Sequence, residues 1–109
     1  MTFFDQLGNT GVEVGRVLDA KNTGDQIKFD SAVWRMEELF IMMKADPRWH
    51  RNRRLREVGR AQELVKDFLF GSNEYHSTPE ALNAYFYPFM VIANEERRRK
   101  RTEKKLASS

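Results

Sequence analysis

Apolar residues recur at intervals of three and four along most of this chain, which is the spacing of residues on one face of an α-helix. The pattern is clearest in the second quarter of the sequence, where the charged residues fall largely on the other side. Its apolar residues are Phe29, Ala32, Val33, Met36, Leu39, Phe40 and Met43. No segment shows the alternation of apolar and polar residues that is typical of a half-buried strand. The sequence therefore predicts an all-α fold.

Residues that begin and end helices divide the chain into four helical segments. A Ser, Thr, Asp or Asn before a helix accepts hydrogen bonds from the free backbone N–H groups of the first turn, and proline fits that turn because it needs no partner there. The candidate start signals are Thr2 with Asp5, Thr23 with Gln26, Asp46 with Pro47, and Thr78 with Pro79. We expect helices at about residues 2–21, 24–45, 49–70 and 79–104.

The short connections between these segments favour an antiparallel four-helix bundle. Pro88 lies inside the last segment and removes a backbone hydrogen bond, so we expect a kink there. In the first segment, Gly8, Gly11 and Gly15 either break the helix near Gly8 or admit a closely packed neighbour. We expect one domain at residues 1–104 that ends in a basic C-terminal extension, with residues 105–109 frayed.

The composition excludes several classes of protein. No apolar run approaches the roughly 20 residues that span a bilayer, and the first residues do not resemble a signal peptide. We therefore expect a cytoplasmic protein without membrane contact. The chain has no cysteine, and its two histidines, His50 and His76, have no companion at a metal-ligand spacing. We expect neither a metal nor a cofactor.

The sequence contains no recognisable set of catalytic residues. No glycine-rich phosphate loop follows a strand, and no Ser/His/Asp group can be assembled. We therefore expect no enzymatic activity. One alternative stays open, since His50 lies among arginines and could act as the general base of a small ribonuclease.

Cationic residues are concentrated in the second half of the chain. Residues 1–47 carry five Lys/Arg and eight Asp/Glu, whereas residues 48–109 carry fourteen and eight. The first cluster consists of Arg48, Arg51, Arg53, Arg54, Arg56 and Arg60, and the second of Arg97, Arg98, Arg99, Lys100 and Arg101. Keeping like charges together is costly for an isolated surface, so two such clusters favour an anionic partner.

The two clusters suggest which arginines would contact such a partner. At 100° per residue, three of them project within about 60° of one another opposite the apolar face of the third helix, whereas Arg51 and Arg54 point towards the apolar side. With the tail, the candidate phosphate contacts for DNA or RNA are Arg53, Arg56, Arg60, Arg97, Arg98 and Arg101. The alternative is a solvated surface in which Arg53 pairs with Glu57 and Arg60 with Glu63.

Aromatic residues form a second unusual segment, Tyr85-Phe86-Tyr87-Pro88-Phe89-Met90. Consecutive aromatic side chains point around most of a helix and cannot all face one core. The helix is therefore either kinked and buried on two sides, or part of the segment forms an interface, or some of its rings stack on a ligand or a base. The second possibility predicts a protein–protein interaction adaptor or homo-oligomeric subunit that uses Tyr85, Tyr87 and Phe89.

Overall fold

The computed structural model describes residues 1–50 and 53–107. Within these ranges the chain forms four α-helices, one short 3₁₀ turn at Pro47–Trp49 and no strand. The helices are α1 (Phe3–Thr23), α2 (Gln26–Ala45), α3 (Arg54–Phe70) and α4 (Pro79–Ala107). The prediction of an all-α fold with four helices is confirmed.

The first helix begins as predicted, but the second is capped by a different residue. Thr2 Oγ1 accepts a hydrogen bond from the Asp5 amide at 3.1 Å, and the Thr2 amide donates to the Asp5 carboxylate, which completes a capping box. Thr23, the predicted cap of α2, is instead the last residue of α1. Gly24 then adopts a left-handed conformation with φ 74°, and Asp25 caps α2.

The connection from α2 to α3 is longer than predicted. Asp46 accepts a hydrogen bond from the Arg48 amide, and Pro47 begins the 3₁₀ turn rather than α3. This turn holds the indole of Trp49 in the core, 5.2 Å from the ring of Phe3. The helix α3 therefore begins at Arg54 instead of at residue 49. The predicted direction of Arg51 lies outside the described residues.

The last helix begins as predicted and extends further. Thr78 Oγ1 accepts a hydrogen bond from the Ala81 amide at 3.1 Å, and Pro79 occupies the first helical position. The helix includes Pro88 and ends at Ala107, three residues beyond the predicted end. Residues 108 and 109 lie outside the described part of the chain.

Helix α1 has the most extensive contacts with other helices. It packs along both α2 and α4, while α3 packs mainly against α2. All four helices contribute side chains to one hydrophobic core, which includes Leu7, Val14, Val17, Met36, Phe40, Met43, Val58, Val65, Leu82 and Phe86. No helix in the described ranges is long and apolar enough to cross a bilayer.

The glycines of α1 admit α4 at close range, and α1 remains unbroken. A Cβ atom on Gly11 would lie 2.7 Å from the Cβ atom of Phe86. A Cβ atom on Gly8 would lie 3.4 Å from the Cα atom of Met90. The alternative of a closely packed neighbour is therefore confirmed, and the break near Gly8 is excluded by the continuous helix.

Candidate nucleic-acid interface

Three exposed arginines follow the outer side of α3, and we call them the α3 stripe: Arg53, Arg56 and Arg60. Arg53 is the N-cap residue just before the first turn of α3, and not a helical residue as the predicted start at residue 49 implied. They lie on the opposite side of the helix from the buried side chains of Val58 and Val65. None of the three forms an ion pair with a carboxylate in the described part of the chain. The stripe is therefore a row of cations whose charge is not compensated by a direct partner.

Glu57, the predicted partner of Arg53, is held by another residue. Tyr85 of α4 donates its hydroxyl hydrogen to Glu57 Oε1 at 2.8 Å. Partial burial, the hydrogen bond to Glu57 and the negative charge of Glu57 raise the pKa of Tyr85 far above its usual value, while Arg60 opposes this shift. The phenol therefore stays protonated and keeps the carboxylate turned towards α4.

Two other arginines of the first cluster contact the protein's own aromatic rings. The Arg54 guanidinium lies over Phe3 and Phe4, 4.6 and 4.9 Å from their ring centroids. This position confirms the prediction that Arg54 points towards the apolar side. Arg48 lies over Trp49 and donates to Asp46 at 2.6 Å, and its hydrogen bonds lower the pKa of Asp46 strongly. Both arginines help to hold the fold.

A cleft opens beside the first residue of the stripe. It has a volume of about 430 Å³ and lies where α3 approaches the first turn of α1 and the middle of α4. Its lining combines aromatic rings with charged groups: Phe3, Phe4, Arg53, Arg54, Glu57 and Phe89. Aromatic surface next to a row of cations is the combination that binds unstacked bases and their phosphates. Sequence reasoning missed this cleft because three separate helices build it.

The tail arginines divide into one that is fixed and several that are exposed. Arg97 donates to Asp5 Oδ1 at 3.0 Å, and the neighbouring Glu96 accepts a hydrogen bond from Thr2 at 2.7 Å. Partial burial raises the pKa of Asp5, but the hydrogen bonds from Thr2 and Arg97 outweigh it and leave this pKa below its usual value. Every described residue after Arg97, including Arg98 and Arg101, is exposed.

Both arginine clusters meet the first turn of α1. Arg53 shares a cleft with Phe4, and the adjacent Asp5 binds Arg97. The structure therefore brings one end of the α3 stripe and the base of the tail to the same end of the molecule. The sequence gives no sign of this proximity, since Asp5 and Arg97 lie 92 residues apart.

The aromatic segment of α4 lies mostly against the protein's own core. Phe86 is buried with 1% of its surface exposed, and Phe89 packs against Phe4 with ring centroids 6.2 Å apart. Tyr85 is half-buried beside Glu57. Of the three residues predicted to form an interface, Tyr87 alone is largely exposed, at 64%.

The outer surface of α2 carries exposed apolar residues that the sequence analysis did not single out. They are Ile27, Trp34, Ile41 and Met42. The helical pattern of α2 predicts its core side and does not describe the opposite surface, and the expectation that Met42 fills the core is wrong, since it is 57% exposed. Their spacing is the signal that could have found them, because positions 27, 34 and 41 repeat every seven residues.

No group of three or more histidine, aspartate or glutamate residues that could hold a metal ion occurs in the described ranges. His50 lies after the 3₁₀ turn, where its Nε2 atom is 2.6 Å from the carbonyl oxygen of Lys44.

Comparisons with protein-family models, curated proteins and solved structures find no match to this chain.

Proposed function

We propose that this protein binds nucleic acid without acting as an enzyme, and that the α3 stripe is its main phosphate contact. The observation that carries the proposal is that Arg53, just before α3, and Arg56 and Arg60 on α3 are exposed and have no ion-pair partner in the described ranges. Uncompensated cations clustered along a helix attract a polyanion.

The dimensions of the stripe suit a phosphate backbone. With a rise of 1.5 Å per residue, positions 53 to 60 extend over about 10 Å along α3. Three cations over this length can contact neighbouring phosphates of one strand. The exposed tail residues Arg98 and Arg101 add charge beside the same end of the molecule.

The aromatic cleft next to Arg53 supports a single strand rather than a duplex as the ligand. Bases in a duplex are stacked on one another, whereas bases of a single strand can leave the stack and pack against aromatic rings. Phe4 and Phe89 line the cleft, and the Glu57 carboxylate beside them can accept a hydrogen bond from an amino group of a base.

We also propose that the helices form an antiparallel bundle and that α4 is kinked at Pro88. We propose a cytoplasmic location as well. Two contacts support opposite directions for α1 and α4, because Gly8 lies near Ala93 whereas Gly15 lies near Asn83.

The alternative of an adaptor that uses Tyr85, Tyr87 and Phe89 has less support. Tyr85 and Phe89 pack against the core of their own chain, which leaves Tyr87 as the largely exposed ring.

The test is a binding titration with labelled 20-nucleotide single-stranded and duplex DNA and RNA at low salt. We expect binding that favours the single strands, and at least a tenfold loss of affinity in R53E/R56E/R60E. The control K21E/K28E/K44E changes the net charge by the same amount on α1 and α2, and we expect a smaller loss. An absence of binding at low salt, or an equal loss in both variants, contradicts the proposal.

A further inference from the structure

Helix α2 exposes a line of large apolar side chains to solvent. Ile27 is 84% exposed, Trp34 74% and Ile41 64%. At 100° per residue these three positions lie within about 40° of one another, on the side opposite the buried Met36. We call them the α2 stripe. A tryptophan flanked by two isoleucines on one line is unusual for a surface that meets only water.

The residues on the two sides of the α2 stripe carry opposite charges. Asp30 and Glu37 lie on one side, at about 60–80° from the line through Ile27, followed by Lys44 near the end of the helix, and Lys28 and Arg35 lie on the other side at about 80–100°. Glu37 also forms an ion pair with Lys66 of its own chain at 3.5 Å. These are the positions that face a partner helix across an apolar seam. With Lys44 and Glu38 included, this side of α2 carries three charges of each sign, so the stripe does not form a cationic surface for phosphate.

The arrangement of charges decides which occupant fits. If a second copy of α2 packs against the stripe in the same direction, a two-fold axis along the seam places the acidic flank of each copy against the basic flank of the other. In the opposite direction, the two acidic flanks would face each other, and so would the two basic flanks. Only the arrangement with both helices in the same direction brings opposite charges together across the seam.

We propose that this protein forms a homodimer through the outer surface of α2, with the two α2 helices side by side in the same direction. Trp34 then packs against Trp34 of the other copy, and Asp30 lies near Arg35 of the other copy. The side chain of Arg35 is 66% exposed, and it can reach across the seam from its contact with Glu13 at 3.6 Å. The proposal goes beyond nucleic-acid binding and does not depend on it.

The available surface predicts a weak dimer. Trp34 alone exposes on the order of 180 Å². With both isoleucines, Met42 and the flanking charged side chains, each copy can bury roughly 600 Å², which is near the lower limit for specific interfaces. Glu38 also lies on this side of α2 and would face Glu38 of the other copy. The repulsion between the two carboxylates weakens the contact. We therefore expect a dissociation constant in the micromolar range.

The first experiment is sedimentation equilibrium of the full chain over concentrations from about 1 µM to 1 mM. We expect a monomer–dimer equilibrium whose dissociation constant rises at least tenfold in W34E. The matched control is Y87E, which also replaces a largely exposed aromatic residue and should dimerise like the unmodified chain. A monomer throughout the range, or dissociation by Y87E instead of W34E, overturns the proposal. Circular dichroism confirms that both variants are folded.

The second experiment determines the direction of the two helices. The chain has no cysteine, so single cysteines report one contact each. Under oxidation, I27C alone should form a disulfide-linked dimer, because residue 27 faces residue 27 of the other copy. If I27C links only when it is mixed with I41C, the helices run in opposite directions and the proposed arrangement is wrong. A failure to link in either case overturns the α2 interface itself.

Discussion

The α3 stripe and the tail both concentrate arginines, but they differ in what lies behind them. The stripe projects from a helix whose opposite side is buried through Val58 and Val65. In the tail, the last contact with another helix described above is that of Arg97 with Asp5, and all described residues beyond it are exposed. Similar charge densities in a sequence can therefore belong to a fixed array of cations or to a charged extension. The difference is that the α3 stripe lies over the core, whereas the tail extends α4 beyond it.

The tail begins after α4 is anchored to the core, and Phe86→Ala removes the largest fully buried side chain of this anchor. Phe86 is fully buried against α1, so its truncation should lower the free energy of unfolding by about 3–5 kcal/mol. Tyr87→Ala, next to it and largely exposed, should change it by less than about 0.5 kcal/mol. Chemical denaturation measures both values. Equal losses would mean that the aromatic segment is not anchored as described.

Gly11→Ala tests the same anchor from α1. Its Cβ atom would lie 2.7 Å from the Cβ atom of Phe86, so the helices must separate, and we expect a loss of about 1–3 kcal/mol. Gly59→Ala on α3 is the matched control. Nothing lies within 4 Å of a Cβ atom at Gly59, and the higher helix propensity of alanine should raise stability by up to about 1 kcal/mol. Denaturation that shows the same sign for both substitutions would contradict the close contact between α1 and α4.

The ion pair between Asp5 and Arg97 also anchors α4 to α1, and of the contacts tested it should contribute least to the free energy of unfolding. The pKa of Asp5 is lowered from 3.8 by folding, so the pair stabilises the protein above that pH and loses its contribution as the pH falls through the lowered value. Because Arg97 is half-exposed, Asp5→Asn should lower the free energy of unfolding by less than about 1 kcal/mol at pH 7.

Unfolding of Asp5→Asn and of the unmodified chain at several pH values checks the sign. The difference in stability between the two should disappear in acid. Combining Asp5→Asn with Arg97→Gln should add little to either single substitution, since both remove the same pair. A difference that grows as the pH falls would contradict the role of this pair.

Local signals in the sequence predicted the helices because caps and prolines act on neighbouring residues. Thr2 and Thr78 begin helices where they were expected. The start of α3 could not be predicted in this way. Trp49 is held in the core by Phe3 and by a 2.8 Å hydrogen bond to Gln6, which lies 43 residues away. The 3₁₀ turn that makes room for this contact depends on tertiary structure.

The candidate site was predictable only in part. Helical spacing predicts that Arg56 and Arg60 lie on one exposed side of α3, as they do, whereas Arg53 is exposed just before the helix begins. It could not show that Glu57 would bind Tyr85 rather than Arg53, because that choice depends on the approach of α4. The outer surface of α2 was missed for another reason. The same apolar residue types serve a core and an interface, so composition does not distinguish them.

The most direct test of the account is the salt dependence of binding to a single strand. We compare R53A/R56A/R60A with a matched tail variant, R98A/R99A/R101A. Each lost phosphate contact should reduce the magnitude of the slope of log K against log salt concentration by about 0.7. We therefore expect this magnitude to fall by about 2 in R53A/R56A/R60A and by less than about 1 in the tail variant. If the tail variant loses as much slope as the α3 variant, or more, the α3 stripe is not the main phosphate contact.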